Sequence, residues 1–294
     1  MCNKKYDFAV MGGDMRMVYT AEVLKEMGYH VCTCGLCGEY KETERLLNAQ
    51  SLESVAKASD AVILPIPVTK NQKELYCERE ETKILLMDIL DEMHENQILF
   101  AGCIPAEVKK MAERKGIRCH DFMEDECLAV YNSIATAEGA VAEAIMRSPL
   151  NLNKSRCLVL GYGKCGKTLA AYLKGLFCHV TVCARRKEVR QEAAVTVDRV
   201  CDFEHLEEEL GKYQFIFNTV PEMVLDSEKL KLVNEKVCII DIASAPYGVD
   251  FKAAGEMGIH ASLCSGLPGK YAPGASAQAM ARMVTERIYE KGEK

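Results

Sequence analysis

The sequence has no surplus of basic charge: 37 Lys and Arg face 43 Asp and Glu, for a formal net charge of −6. A nucleic-acid binder would carry a basic face, so this balance argues against that class and directs attention to a small molecule or a protein partner. No run approaches the roughly 20 apolar residues that a membrane helix needs, so no membrane partner is expected. The opening MCNKKYDFAVMGGD places lysines before an apolar run too short for a secretion signal. No Ser/His/Asp or Cys/His arrangement stands out, and none of the six histidines sits in a recognisable dehydrogenase dyad. Only His120, in CHDF, is placed near a strand end, where an ordinary loop histidine is the simpler expectation.

Cysteine, by contrast, is abundant, at 15 residues. Many lie inside apolar strand-like runs (Cys157, Cys178, Cys183, Cys238), where cysteine behaves as a small hydrophobe. This usage does not suggest a disulfide framework and points to a reducing, cytoplasmic compartment. Cys32, Cys34 and Cys37 in CTCGLC could in principle hold zinc or an iron–sulfur cluster. No second Cys/His cluster of matching spacing follows, so the expectation is a cysteine-tolerant strand end and no metal.

At 294 residues, with 49% hydrophobic and 27% charged side chains, the chain is an ordinary soluble protein of about two domains. YDFAVMGGDMRMVYTAEVLKEMGYHVCTCGL reads as strand, turn, helix and strand; AVILPIP, QILFAGC and GIRCHDF continue the sheet. The pattern returns in CLVLGYG, a helix over 164–176, HVTVCA, YQFIFNTVP, KVCIIDIAS and IHASLCSG. Strands alternating with helices imply parallel sheets covered on both faces. Between the halves, Ile134, Ala137, Ala140, Val141 and Ala144 repeat at helical spacing until Pro149. The expectation is therefore an α/β chain: an N-terminal substrate lobe over 1–130, a linking helix over 131–149, and a cofactor lobe over 150–274. The amphipathic segment 275–294 is expected to return onto the first lobe.

GYGKCG supplies Gly161, Gly163 and Gly166, with Tyr162, Lys164 and Cys165 between them. A bare G-x-G-x-x-G is weak evidence, but here it follows an apolar strand and opens a helix, the context of a Rossmann dinucleotide fold. Gly161 would allow the tight turn and Gly163 the approach of a pyrophosphate. Gly166 would allow close packing of helix on strand, and the helix N-terminus attracts the phosphates. The lobes are thus expected to be Rossmann-like, with a cofactor cleft between them. About 20 residues on, an NAD-binding fold presents a carboxylate to the ribose 2′-hydroxyl. HVTVCARR has Arg185 and Arg186 there instead, and no Asp or Glu before Glu188. Guanidinium groups suit phosphate oxygens, so NADP is expected rather than NAD, with Arg185 the main contact and Arg186 or Lys187 assisting.

AVMGGDMR, VYNSIATAEGA, VLGYGKCGKTLA, NTVP, DIASAPYGVDF and GLPGKYAP, in this order across nearly the whole chain, resemble the family of bacterial dipicolinate synthase A-subunits. The resemblance implies a two-lobed, NADP-binding oxidoreductase of the sporulating mother cell. It also implies a partner, the flavoprotein-like B-subunit of dipicolinate synthase. The implied reaction oxidises a dihydrodipicolinate-type cyclic dicarboxylate to dipicolinate, a branch of the lysine and diaminopimelate route. The fold is also similar to 2-hydroxy-acid and alanine dehydrogenases. In the family pattern a glycine pair follows the proline of the ASxP loop, whereas here Pro246 precedes Tyr247 and Gly248.

In Rossmann folds ligands lie beyond the carboxyl ends of the strands. Asn218, Thr219, Val220 and Pro221 after one strand, Ala243 and Ser244 after the next, and Leu267 and Pro268 near the last are expected cofactor contacts. The last two belong to a shaped loop over the nicotinamide. From the first lobe, GGDMR offers Arg16 as a carboxylate anchor and Asp14 as a candidate base, and LPIPVT with Thr69 a facing wall. Ser133 and Thr136 are candidate active-site contacts that, with Asn132, equally suit helix capping, while Glu138 equally suits a first-turn carboxylate. Two other readings stay open: an NADP-binding assembly protein whose partner performs the chemistry, and a 2-hydroxy-acid or alanine-type dehydrogenase. A homo-oligomer is compatible with all of them.

Overall fold

Short apolar runs bounded by glycine and polar turns form the strands, and amphipathic segments return the chain over them. A computed structural model describes residues 6–49, 55–78 and 83–289. The chain divides into two compact units, 1–131 with 272–294, and 132–271.

The first unit carries strands β1 (Tyr6–Met11), β2 (Val31–Cys34), β3 (Leu46–Asn48), β4 (Ser59–Ile63), β5 (Ile98–Ala101) and β6 (Arg118–Asp121). The second carries β7 (Arg156–Leu160), β8 (His179–Cys183), β9 (Arg199–Cys201), β10 (Phe215–Asn218), β11 (Cys238–Asp241) and β12 (His260–Leu263). The sheet orders are β3-β2-β1-β4-β5-β6 and β12-β11-β10-β7-β8-β9. Every pairing in both sheets is parallel. Both therefore have the doubly wound order, with a switch point between β1 and β4 in one and between β7 and β10 in the other. The expected α/β class with parallel, Rossmann-like sheets is what the chain adopts.

Both faces of each sheet are buried, as parallel sheets require. In β10, Phe215 and Phe217 enter one apolar cluster with Val159 and Val180, while Ile216 enters the opposite one with Leu158 and Ile239. In β1, Phe8 and Val10 face one way and Ala9 and Met11 the other. Helix Pro273–Tyr289 packs against helix Met15–Glu26 and places Met280, Ala281 and Val284 in the cluster of Phe8.

Two strands, β3 and β9, escape a reading by apolar runs because each is only 3 residues long. The linking helix spans Glu126–Arg147 and so begins before residue 131. Asp125 starts it: its carboxylate accepts from the Leu128 N–H at 2.8 Å. Asn132, Ser133 and Thr136 therefore lie inside the helix and do not cap it, and Glu138 is not in its first turn. GLPGKYAP also departs from expectation, since Leu267–Tyr271 is a short helix.

Candidate functional site

The turn after β7 carries the glycine motif, and its three glycines do different things. Gly161 has φ +92, and a Cβ there would strike Thr219 Oγ1. A Cβ on Gly166 would lie 2.5 Å from the Gly161 carbonyl oxygen, so helix Lys164–Gly175 can approach the strand only with glycine at that position. Gly163 has an ordinary φ of −79, and a Cβ there would meet nothing within 4 Å. Folding does not require glycine at 163. The open space beside it, ahead of a helix start whose first N–H groups have no partner within the helix, is the cradle a pyrophosphate fits.

Tyr162 turns its side chain into the core, where its hydroxyl meets Thr196 Oγ1 at 2.8 Å, leaving only its backbone at the turn. Lys164 is exposed at the first helical position. The Cys165 thiol is pushed up by burial and bonds Thr136. Ser133 Oγ lies 2.7 Å from Thr168 Oγ1, and Thr136 also donates to the Asn132 carbonyl at 2.8 Å. These two candidates thus fasten the linking helix to the first turns of the glycine-motif helix.

At the end of β8, Cys183 and Ala184 are buried and Arg185 and Arg186 are exposed. Arg190 fixes the bend by donating to the carbonyls of Ala184 at 2.8 Å and Arg185 at 2.6 Å. Arg185 Nη2 donates to Glu222 Oε2 at 2.6 Å, with the two side chains 72% and 61% exposed. Sequence reading finds no carboxylate near this position, because Glu222 arrives from the loop after β10, 37 residues away.

Asn218 and Asp241, both at strand ends and fully buried, organise the neighbouring loops. Asn218 Nδ2 donates to Asp241 Oδ1 at 2.8 Å and to the Val220 carbonyl at 3.0 Å, and its Oδ1 accepts from the Val220 N–H. Asp241 also accepts from the N–H groups of Ala243 and Gly248, both at 2.9 Å. The side chain of Asn218 is therefore occupied in shaping the loop. Thr219 likewise ties back to the Leu160 carbonyl at 2.8 Å. Val220 is half-buried, Ala243 buried, and Pro221 and Ser244 exposed. Tyr247 takes φ +68, and Gly248 packs its backbone onto Asn218.

Leu267 is buried, and Pro268 follows it half-buried. A Cβ on Gly139 would lie 2.9 Å from Leu267 Cβ and 2.8 Å from Tyr271 Cδ2. Beside this notch Glu143 is 2% exposed. It accepts from Lys270 Nζ at 2.5 Å, Tyr271 Oη at 2.8 Å and Arg147 Nε at 2.8 Å. Burial alone would raise its carboxyl, but these hydrogen bonds outweigh burial and hold it below the usual range.

In the first unit, β1 is followed by Gly12 and Gly13, with φ +63 and +82, and Asp14 caps helix Met15–Glu26. A Cβ on Gly13 would lie 2.8 Å from Pro65 Cβ. Asp14 Oδ1 accepts from Arg16 N at 3.0 Å and Nε at 2.9 Å, and Oδ2 from Nη2 at 2.7 Å. Nη2 also donates to the Ile66 carbonyl at 2.5 Å. Arg16 is thus held from two sides, and Nη1 makes no hydrogen bond with the described residues. Both oxygens of Asp14 are engaged with Arg16, which suits it to positioning the guanidinium rather than accepting a proton. Thr69, on the loop after β4, is buried and bonds Asn71 at 3.3 Å. Cys32 is in the core and Cys34 and Cys37 are half-buried, and burial pushes all three thiols up. Among the described residues no group of three or more His, Cys, Asp or Glu is placed to hold a metal ion.

Residues 7–123 match the family model of the N-terminal domain of the dipicolinate synthase A-subunit, and 127–251 match that of the D-isomer specific 2-hydroxyacid dehydrogenase NAD binding domain. The dipicolinate synthase A-subunit of Bacillus subtilis (strain 168) is 30% identical over 292 residues, covering 96% of this chain and 95% of the relative. The chain belongs to the dipicolinate synthase A-subunit family. The crystal structure of the Bacillus subtilis A-subunit is 27% identical, with a TM-score of 0.87 over 99% of this chain and 98% of that one. That of the Bacillus halodurans A-subunit is 24% identical, with a TM-score of 0.87 over 96% and 97%. The match over 127–251 makes this member of the family a dehydrogenase-type protein with a nicotinamide dinucleotide-binding domain. Among the described residues no helix is long and apolar enough to cross a membrane.

Proposed function

We propose that this chain is an NADP-dependent oxidoreductase that converts a dihydrodipicolinate-type cyclic diacid to dipicolinate, acting with the flavoprotein-like B-subunit. The observation that carries the cofactor choice is the exposed pair Arg185 and Arg186 at the end of β8, where an NAD-binding fold has its ribose carboxylate. The turn from Gly161 to Gly166 would hold the pyrophosphate, and Arg185 the 2′-phosphate. The loops shaped by Asn218 and Asp241 would support the rest of the dinucleotide. When bound, the nicotinamide supplies a hydride acceptor, and the protein contributes positioning and electrostatics.

Arg16 would anchor one carboxylate of the substrate through its Nη1 edge, with Asp14 and the Ile66 carbonyl fixing its orientation. Ser133 and Thr136 would act indirectly, by fixing the glycine-motif helix. The test is to follow nicotinamide reduction by the purified chain with the cyclic diacid and NADP+, in the presence and absence of the B-subunit. Reduction with the diacid, but not with lactate or alanine, supports the reading. In that assay Arg16→Ala raises the substrate KM and leaves cofactor affinity intact. Turnover of lactate or alanine in place of the diacid would overturn the proposal.

A further inference from the structure

The amino-terminal ends of β7, β8 and β9 lie at the opposite end of the second unit's sheet from the glycine turn. A cavity of about 550 Å³ opens there. Its basic side chains are Lys154, Arg156, His179, Arg199 and Lys212, against two carboxylates, Asp198 and Glu209. Both carboxylates are already neutralised. Asp198 accepts from Lys174 Nζ at 2.7 Å and from the Val180 N–H at 2.7 Å. Glu209 accepts from Lys212 at 2.6 Å and lies 3.5 Å from Arg199. Lys154 and Arg156 are left with no carboxylate partner among the described residues, while His179 faces Asp198. The lining also includes Thr181 and Tyr213, 6% and 3% exposed, whose hydroxyls bond each other. Burial pushes Tyr213 up to about 12, so it stays a neutral hydroxyl.

A cationic recess in a chain of net charge −6 has to be accounted for, and the dehydrogenase chemistry does not use it. Ligands of doubly wound sheets bind at the carboxyl ends of the strands, so this recess belongs to neither cofactor nor substrate. Its volume falls within the range of small-molecule sites. We infer that it is a second ligand site, for a compact polyanion bearing carboxylate or phosphate groups, with Lys154, Arg156 and His179 as its main contacts. The inference does not depend on which dinucleotide the glycine turn holds.

The experiment is calorimetry on the full chain with two probes, pyridine-2,6-dicarboxylate and inorganic pyrophosphate. Binding of the first that survives Arg16→Ala, which disables the proposed product anchor, identifies a carboxylate ligand, and binding of the second a phosphate ligand; either supports the site when the recess variants weaken it. Arg156→Glu should weaken that binding at least about tenfold, since it replaces an attraction by a repulsion. Lys154→Gly, which suits the φ of +62 at this position, should weaken it as well and guards against a folding defect in the first variant. Gly163→Ala, which fills the distant glycine turn, should leave it unchanged. Binding of neither probe, or equal binding by wild type and both recess variants, would overturn the site. So would loss of binding in Gly163→Ala alone, which would place the probe at the turn.

Discussion

The pairing of Arg185 with Glu222 gives a quantitative test of cofactor choice. In the free protein, Glu222 holds the guanidinium at 2.6 Å, and a 2′-phosphate would have to take its place. The pair is largely exposed, at 72% and 61%, so its own strength is that of a surface ion pair, about 0.2–1 kcal/mol. A charge-assisted hydrogen bond from Arg185 to a phosphate contributes about 1.5–3 kcal/mol, and exposure favours the lower end. At about 1.4 kcal/mol per tenfold, and net of the displaced pair, Arg185→Ala should weaken NADP+ by roughly two- to tenfold and change NAD+ little. Glu222→Gln frees the arginine and removes a negative charge beside the phosphate, so NADP+ should bind roughly 1.4- to 5-fold tighter. Titration of each variant with both dinucleotides, followed by calorimetry, measures these effects. Raising ionic strength should shrink both, because the charges are exposed. If Arg185→Ala weakens both dinucleotides equally, or Glu222→Gln leaves their ratio unchanged, the arginine does not read the ribose phosphate.

Two further outcomes follow from the packing. Gly163→Ala meets no atom within 4 Å, so it should cost less than about 1 kcal/mol in urea unfolding, as a weaker helix cap, while cofactor affinity falls at least about tenfold. Glu143→Gln removes the charge facing Arg147 and Lys270 and replaces one accepting oxygen with a donor, and should cost about 1–3 kcal/mol at pH 7. Because the folded carboxyl lies below its ordinary value of 4.5, its stabilisation is full above that pH and is lost as pH falls through the folded value. The melting temperatures of wild type and variant should therefore differ at pH 7 and draw together as pH falls below 4.5.

The periodic parts of the fold are legible in the sequence, and the parts set by three-dimensional approach are not. CLVLGYG and HVTVCA announce β7 and β8 because they are apolar, bounded by glycine or charge, and tied to a fingerprint with its own geometry. β3 and β9 carry no such run. Asn132, Ser133 and Thr136 suggest a helix start by composition, yet Asp125 holds the actual one, and the three polar side chains serve a helix–helix joint instead. Leu267 and Pro268 suggest a loop over a ligand because glycine and proline punctuate the segment, whereas the Gly139 notch draws Leu267 into the core. Arg185 is legible from its strand, but Glu222 is not, since only the adjacency of β7 and β10 at the switch point brings its loop across. Asp241 leaves one signal, a carboxylate closing the apolar run CIID.

That carboxylate has a mechanical consequence. Because Asp241 takes hydrogen bonds from Asn218, Ala243 and Gly248, the segments after β10 and β11 share one anchor. Opening either segment disturbs the bonds of the other, so the amides of Ala243 and Gly248 should exchange their protons with solvent in concert.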